Sequence, residues 1–135
     1  MRIAATVVAA ACAPPAAWWS IGDLSESGGT DDDVGRLEID ARIESAVGVP
    51  LLVLGLAAVT MLVVGGFRGT VSTRWFVGSA LLVVAGSATA WCGRVLTADT
   101  HGANIGGGLI LQLGIPVLIS LYVGAVAVLV ADHRS

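Results

Sequence analysis

The chain has 135 residues, of which 56% are hydrophobic and 13% charged, and its formal net charge is −3. The length suffices for one small domain, and the charged fraction is about half of the roughly 25% found in soluble domains. This composition excludes an ordinary soluble globular protein. The sequence lacks the basic patch on which nucleic-acid binding depends. All its basic residues are Arg, which together with abundant Ala and Gly is typical of a GC-rich bacterial genome.

Four long apolar stretches, without Asp, Glu, Arg, Lys or His, follow one another along the chain: 3–21, 47–67, 75–93 and 106–131. A helix that spans a bilayer needs about 20 apolar residues, and it satisfies its backbone polar groups internally. The sequence therefore predicts an all-α integral membrane protein, a single transmembrane domain built as a four-helix transmembrane bundle. The spans leave loops at 22–46, 68–74 and 94–105, and the first of these loops is acidic.

The Arg residues predict the orientation in the membrane. The short segments on the side of the termini hold four of the seven: Arg2, Arg68, Arg74 and Arg134. Cytoplasmic loops are enriched in basic residues. We therefore expect both termini and loop 68–74 to be cytoplasmic, in the cell (plasma) membrane. Loops 22–46 and 94–105 are then extracytoplasmic.

The first span has two interpretations. Met1–Arg2, an apolar run and small residues are similar to a secretory signal peptide, and the run 9–12, Ala-Ala-Ala-Cys, is similar to a lipoprotein cleavage site. The apolar run before Cys12 is short, however, and the pair Trp18 and Trp19 is typical of an anchor at the membrane interface. Cleavage would leave three spans, with the mature N-terminus outside.

Prolines lie inside two of the spans. Pro14 and Pro15 should kink or break the first span, and Pro116 the fourth, because proline lacks an N–H and crowds the preceding turn. Pro50 falls in the first turn of the second span, where proline is well tolerated.

Small residues spaced four apart predict sites of close helix packing, either within the chain or against a partner. The third span offers Gly86 and Ala90, and the fourth offers Ser120 and Gly124. Two polar side chains, Gln112 and Tyr122, lie inside the fourth span, and we expect them to form intramembrane polar contacts.

Residues 36–44 alternate apolar and charged side chains, which is the period of a strand. Their Leu, Glu, Ala and Arg content favours a helix instead, and the sequence leaves both alternatives open. Either way, Leu37, Ile39 and Ile43 would be apolar side chains in an acidic loop that need cover. We interpret them as candidate partner-binding residues.

The sequence offers little that could support chemistry. Cys12 and Cys92 should differ by about 12 Å in depth, beyond the roughly 7 Å limit for a disulfide. Asp99 and His101 lack metal-ligand spacing, so a solvated loop is favoured over a metal site. We expect no catalytic residue, no metal, no cofactor and no enzymatic activity.

These features favour a non-catalytic accessory or structural subunit. Its partners would be the lipid bilayer and another membrane or envelope protein, or a second copy of itself. The alternative is a small passive transporter or channel, acting as a dimer and lined by Gln112, Ser120 and Thr89. Proton coupling is disfavoured because the spans lack a carboxylate of the kind that marks proton relays.

Overall fold

The computed structural model describes residues 1–22, 40–97 and 107–134. The regular structure of these residues is entirely helical. Four of the helices are long and apolar enough to cross a membrane, as the sequence predicted. They are α1 (Arg2–Ile21), α2 (Ala41–Phe67), α3 (Thr73–Thr97) and a fourth helix that begins at Gly107. The regular α-helical part of this fourth helix is α4 (Ile115–Arg134).

The helices are arranged as an open row in the order α2, α1, α3, α4. Helix α1 packs along both α2 and α3, and α4 packs along α3. Helices α2 and α3 are joined by a short turn but touch little, because α1 lies between them. Among the described residues, no Cα of α4 comes within 8 Å of one in α1 or α2. The predicted four-helix arrangement is therefore present, but it does not form a closed ring.

Small residues bring the neighbouring helices close together. A Cβ atom added to Gly55 of α2 would lie 3.2 Å from the Cβ of Cys12, and one added to Gly86 of α3 would lie 3.1 Å from the ring of Pro14. A Cβ on Gly78 would lie 2.7 Å from the Leu129 side chain in α4. Each pair of adjacent helices in the row thus meets at a glycine, consistent with packing through small residues in membranes.

The prolines leave the helices continuous. Helix α1 runs unbroken through Pro14 and Pro15, so the predicted break does not occur there. In the fourth helix a π-helical turn, Ile110–Gly114, precedes Pro116, and the N–H of Ile115 donates to the carbonyl of Ile110, five residues earlier. A π turn absorbs an irregularity without ending the helix, which explains how the helix passes a residue that lacks an N–H.

Helices α2 and α3 extend beyond the predicted spans. Helix α2 begins at Ala41 instead of 47, with the Asp40 carboxylate accepting the Arg42 N–H at 2.8 Å as an N-cap. Helix α3 ends at Thr97 instead of 93. Of the segment 36–44, residues 41–44 are helical, and residues 36–39 lie outside the described part of the chain. These extensions bring Glu44 and Arg94, which the sequence placed in loops, into the helices.

Candidate functional site

Three side chains from three helices form what we call the Arg94 cluster: Trp18 of α1, Glu44 of α2 and Arg94 of α3. Arg94 is only 6% exposed. Its Nη2 donates to Glu44 Oε1 at 2.8 Å, and its Nε donates to the Trp18 carbonyl at 3.1 Å. The Arg94 guanidinium lies 4.3 Å from the centre of the Trp18 ring, and the indole N–H of Trp18 donates to Glu44 Oε1 at 3.1 Å. Every charge in the cluster therefore has a partner.

Helix dipoles favour each charge in this cluster. The carbonyls of the last turn of a helix lack intrahelical donors, and a cation beside them is stabilised, as an anion is at a helix N-terminus. Arg94 supplies the cation at the end of α1, where it binds the Trp18 carbonyl. Glu44 supplies the anion in the first turn of α2. The cluster thus joins the end of one helix to the start of the next.

Two glycines make room for the aromatic rings at this end of the row. A Cβ atom on Gly93 of α3 would lie 2.8 Å from the Trp18 ring, and one on Gly48 of α2 would overlap the Trp19 side chain. Trp18 and Trp19 are consequently half-buried between helices. The sequence predicted only that they anchor the span end in the interface.

A second cluster holds the opposite end of the row, and we call it the Arg2 cluster: Arg2 of α1, Trp75 of α3 and Asp132 of α4. The guanidinium of Arg2 lies 4.7 Å from the centre of the Trp75 ring, and its Nη1 is 3.5 Å from Asp132 Oδ2. Asp132 also accepts a hydrogen bond from the hydroxyl of Ser72, which caps α3 by accepting the Trp75 N–H at 3.0 Å. The Arg2 cluster ties α4 to the start of both α1 and α3.

A hydroxyl network continues from the Arg2 cluster into the row. The indole N–H of Trp75 donates to Thr6 Oγ1 at 2.9 Å, and Thr6 Oγ1 lies 2.8 Å from Ser79 Oγ. Each hydroxyl also reaches the carbonyl four residues earlier in its own helix, at Arg2 and Trp75 respectively. Thr6, Trp75 and Ser79 are all buried, so satisfied polar atoms join α1 to α3 inside an otherwise apolar contact.

The predicted packing residues divide between the interior and the surface. Gly86 and Ala90 are buried where α3 crosses α1, which leaves them inside the chain and unavailable to a partner. Ser120 is exposed, and a Cβ on Gly124 would meet nothing within 4 Å. The described residues thus bury Gly86 and Ala90, whereas they leave Ser120 exposed and space beside Gly124.

The two polar residues of the fourth span differ in their surroundings. The hydroxyl of Tyr122 lies 3.2 Å from Thr89 Oγ1 on α3. Gln112, in the π turn, is exposed, and its side chain makes no hydrogen bond with another described residue. Ser120 Oγ donates to the Pro116 carbonyl of its own helix at 2.8 Å. The residues proposed to line a pore therefore do not face a common space within this chain.

Of the candidate residues near the acidic loop, only Ile43 is described. Its side chain is exposed in the first turn of α2 and lines an apolar groove of about 690 Å³ beside Trp18, Trp19 and Glu44. Leu37, Ile39, Asp99 and His101 lie outside the described residues.

The described residues bring few reactive groups together. Cys12 and Cys92 are buried free thiols that face different neighbours, Gly55 of α2 and Gly114 of the π turn respectively. In the three described ranges no group of three His, Cys, Asp or Glu side chains could hold a metal ion. Both charged clusters join helices to one another.

The sequence interpretation missed the members of both clusters that face the interior, although a signal for Arg94 was present. Gly86, Ala90 and Arg94 follow one another at intervals of four and therefore share one face of α3. The face predicted to pack closely thus carries an Arg at its end. Trp75 and Ser79 have the same spacing near the start of the helix.

Comparison with family models, with curated proteins and with solved structures finds no match for this chain.

Proposed function

We propose that this chain is a non-catalytic accessory or structural membrane protein that binds another membrane or envelope protein, or a second copy of itself, through α4. The observation that carries the proposal is how little of the fourth helix the described residues cover. Among those residues the helix packs along α3 and reaches α1 only at the Arg2 cluster, while Gln112, Ser120 and much of its apolar surface are exposed.

The exposed part of the fourth helix has the composition of a helix contact in a membrane. Ser120 and Gly124 are one turn apart, and small residues allow the close backbone approach on which helix association in lipid depends. The side-chain amide of Gln112 has no partner among the described residues, and a buried amide without a hydrogen bond is costly. A neighbouring helix would supply both the close contact and the hydrogen bond.

Site-specific photocrosslinking in native membranes tests this proposal. A photoactivatable phenylalanine analogue at Ser120 should crosslink to one discrete protein, whereas the same analogue at Val53, exposed on α2, should not. Gly124→Leu should reduce the yield of the protein crosslink formed by the analogue at position 120. If the protein isolates alone and monomeric in mild detergent and both positions crosslink only to lipid, the proposal is wrong.

From the distribution of Arg residues we also propose an orientation in the plasma membrane. Both termini lie in the cytoplasm, and the acidic loop lies outside the cell. A fluorescent protein fused after Ser135 should fluoresce, and alkaline phosphatase fused at the same point should be inactive. Active phosphatase there would show that the orientation is the opposite one.

The alternative function, a passive dimeric channel, stays a prediction without a geometric observation in its favour.

A further inference from the structure

A groove of about 590 Å³ opens between the start of α1 and the end of α2, at the end of the row that carries the Arg2 cluster. Most of its wall is apolar: Ala5, Met61, Leu62, Val64 and Val71. Arg2 and Arg68 also line the groove, together with Met1, Thr60, Gly65 and Thr70. The groove therefore combines an apolar surface with two cations.

The threonine hydroxyls of the groove are already engaged. The hydroxyl of Thr60 donates to the Leu56 carbonyl at 2.7 Å, and that of Thr70 donates to the Gly65 carbonyl at 3.0 Å. Of the two arginines that line the groove, Arg68 makes no ion pair with another described residue, whereas Arg2 is paired with Asp132.

The charge at the groove is positive. Arg68 is exposed and makes no ion pair with another described residue. The side chain of Arg2 is 41% exposed, and its Nη1 lies 3.5 Å from Asp132 Oδ2. The groove thus has two arginines, one of which is paired with a carboxylate, and a guanidinium can bind an anion through several N–H donors.

We propose that this groove binds one anionic phospholipid, its phosphate paired with Arg68 and Arg2 and part of an acyl chain along the apolar wall. Basic pockets between membrane helices bind anionic headgroups in this way. A free phosphate would leave the apolar wall uncovered, so a lipid fits the lining better. The inference rests on membrane insertion, but not on the proposed binding of another protein.

Native mass spectrometry of the full chain in a neutral detergent tests the inference, with dioleoyl phosphatidylglycerol and dioleoyl phosphatidylcholine as probes. The wild-type chain should retain one phosphatidylglycerol in preference to phosphatidylcholine. Arg68→Gln should weaken phosphatidylglycerol binding about fivefold, the factor equivalent to about 1 kcal/mol per basic residue. Arg74→Gln is the matched control, because Arg74 is exposed near the same turn but does not line the groove, and it should bind as wild type does.

A second variant and a competitor separate the lipid from other anions. Thr60→Phe places a ring in the groove and should weaken the binding of phosphatidylglycerol while circular dichroism stays unchanged. Millimolar inorganic phosphate should not displace the lipid. Equal retention of the two lipids, equal losses in Arg68→Gln and Arg74→Gln, or displacement by phosphate would overturn the inference.

Discussion

Arg94 is a buried cation, whereas the other buried polar side chains of the described residues, Thr6 and Ser79, are uncharged. Removing such a charge from water costs several kcal/mol, which its partners must offset. Here the offset comes from the Glu44 carboxylate at 2.8 Å, the Trp18 carbonyl at 3.1 Å and the face of the Trp18 ring. At the scale of single residues, the two members of the ion pair therefore depend on each other.

Replacing both members of this pair should cost less than the sum of the two single replacements. We expect Arg94→Met to lower the free energy of unfolding by about 2–3 kcal/mol, because it leaves a half-buried carboxylate without its cation. The double variant Arg94→Met with Glu44→Leu should lose clearly less than the sum of the single changes. Unfolding in mixed micelles with increasing dodecyl sulfate, followed by circular dichroism, measures all three.

The exposed Arg74 provides the control for the loss of a positive charge. Arg74→Met should change the free energy of unfolding by no more than about 0.5 kcal/mol, as is usual for surface positions. Strictly additive effects of the Arg94 and Glu44 substitutions would show that the two side chains are not energetically coupled.

At one crossing of α3 and α4 the close approach of the two helices requires a glycine, Gly78. A Cβ atom at Gly78 would lie 2.7 Å from the Leu129 side chain and 3.3 Å from the Ala125 carbonyl oxygen. Leu129 can turn aside, but the carbonyl belongs to the backbone of α4. Gly78 therefore allows this crossing, while the Arg2 cluster and the contact between Tyr122 and Thr89 also connect α4 to the row.

A pair of glycine substitutions tests this dependence. Gly78→Ala should lower the free energy of unfolding by about 1–3 kcal/mol, since an added methyl in a packed contact forces side chains and backbone apart. Gly124→Ala meets nothing within 4 Å and should be neutral or stabilising. Both changes carry the same gain in helix propensity, so the difference between their melting temperatures in detergent isolates the contact. Equal melting temperatures would contradict the proposed crossing.

At the scale of the whole molecule, α1 is the central helix. It separates α2 from α3 and contributes Ala9 to the core, where Ala9 clusters with Ala58, Leu62, Val71 and Trp75. It also supplies Arg2 and Thr6 at one end of the row and Trp18 at the other. A chain without α1 would lose the main contacts of α2. That α1 is an anchor kept in the mature protein stays a prediction.

The mass of the mature protein tests this interpretation. A C-terminally tagged chain purified from membranes should have an intact mass that includes all of α1. The matched variant Cys12→Ala, which removes the residue on which a lipoprotein signal depends, should give the same N-terminus as the wild type. A wild-type protein that begins at Cys12 or at a later residue would show that α1 is removed.

Much of this fold was predictable, because membrane-length helices are determined by local composition. Apolar stretches of about 20 residues predict spans wherever they occur, and all four appear as helices. The ends were less predictable: Glu44 and Arg94 are charged residues that the sequence placed in loops, and they enter helices because each neutralises the other. The sequence also could not tell that Gly86 packs inside the chain while Gly124 has no described neighbour, because each belongs to a pair of small residues four apart.

The sequence by itself determined that the chain is helical, where its apolar segments lie and which side chains are polar within them. Only the tertiary structure decided that α1 lies between α2 and α3, that Trp18 and Trp75 each cover an Arg, and that the row is open at α4. The physical reason is the range of the forces involved. Helix formation and apolar length are properties of neighbouring residues, whereas an ion pair or a glycine crossing depends on side chains brought together from different helices.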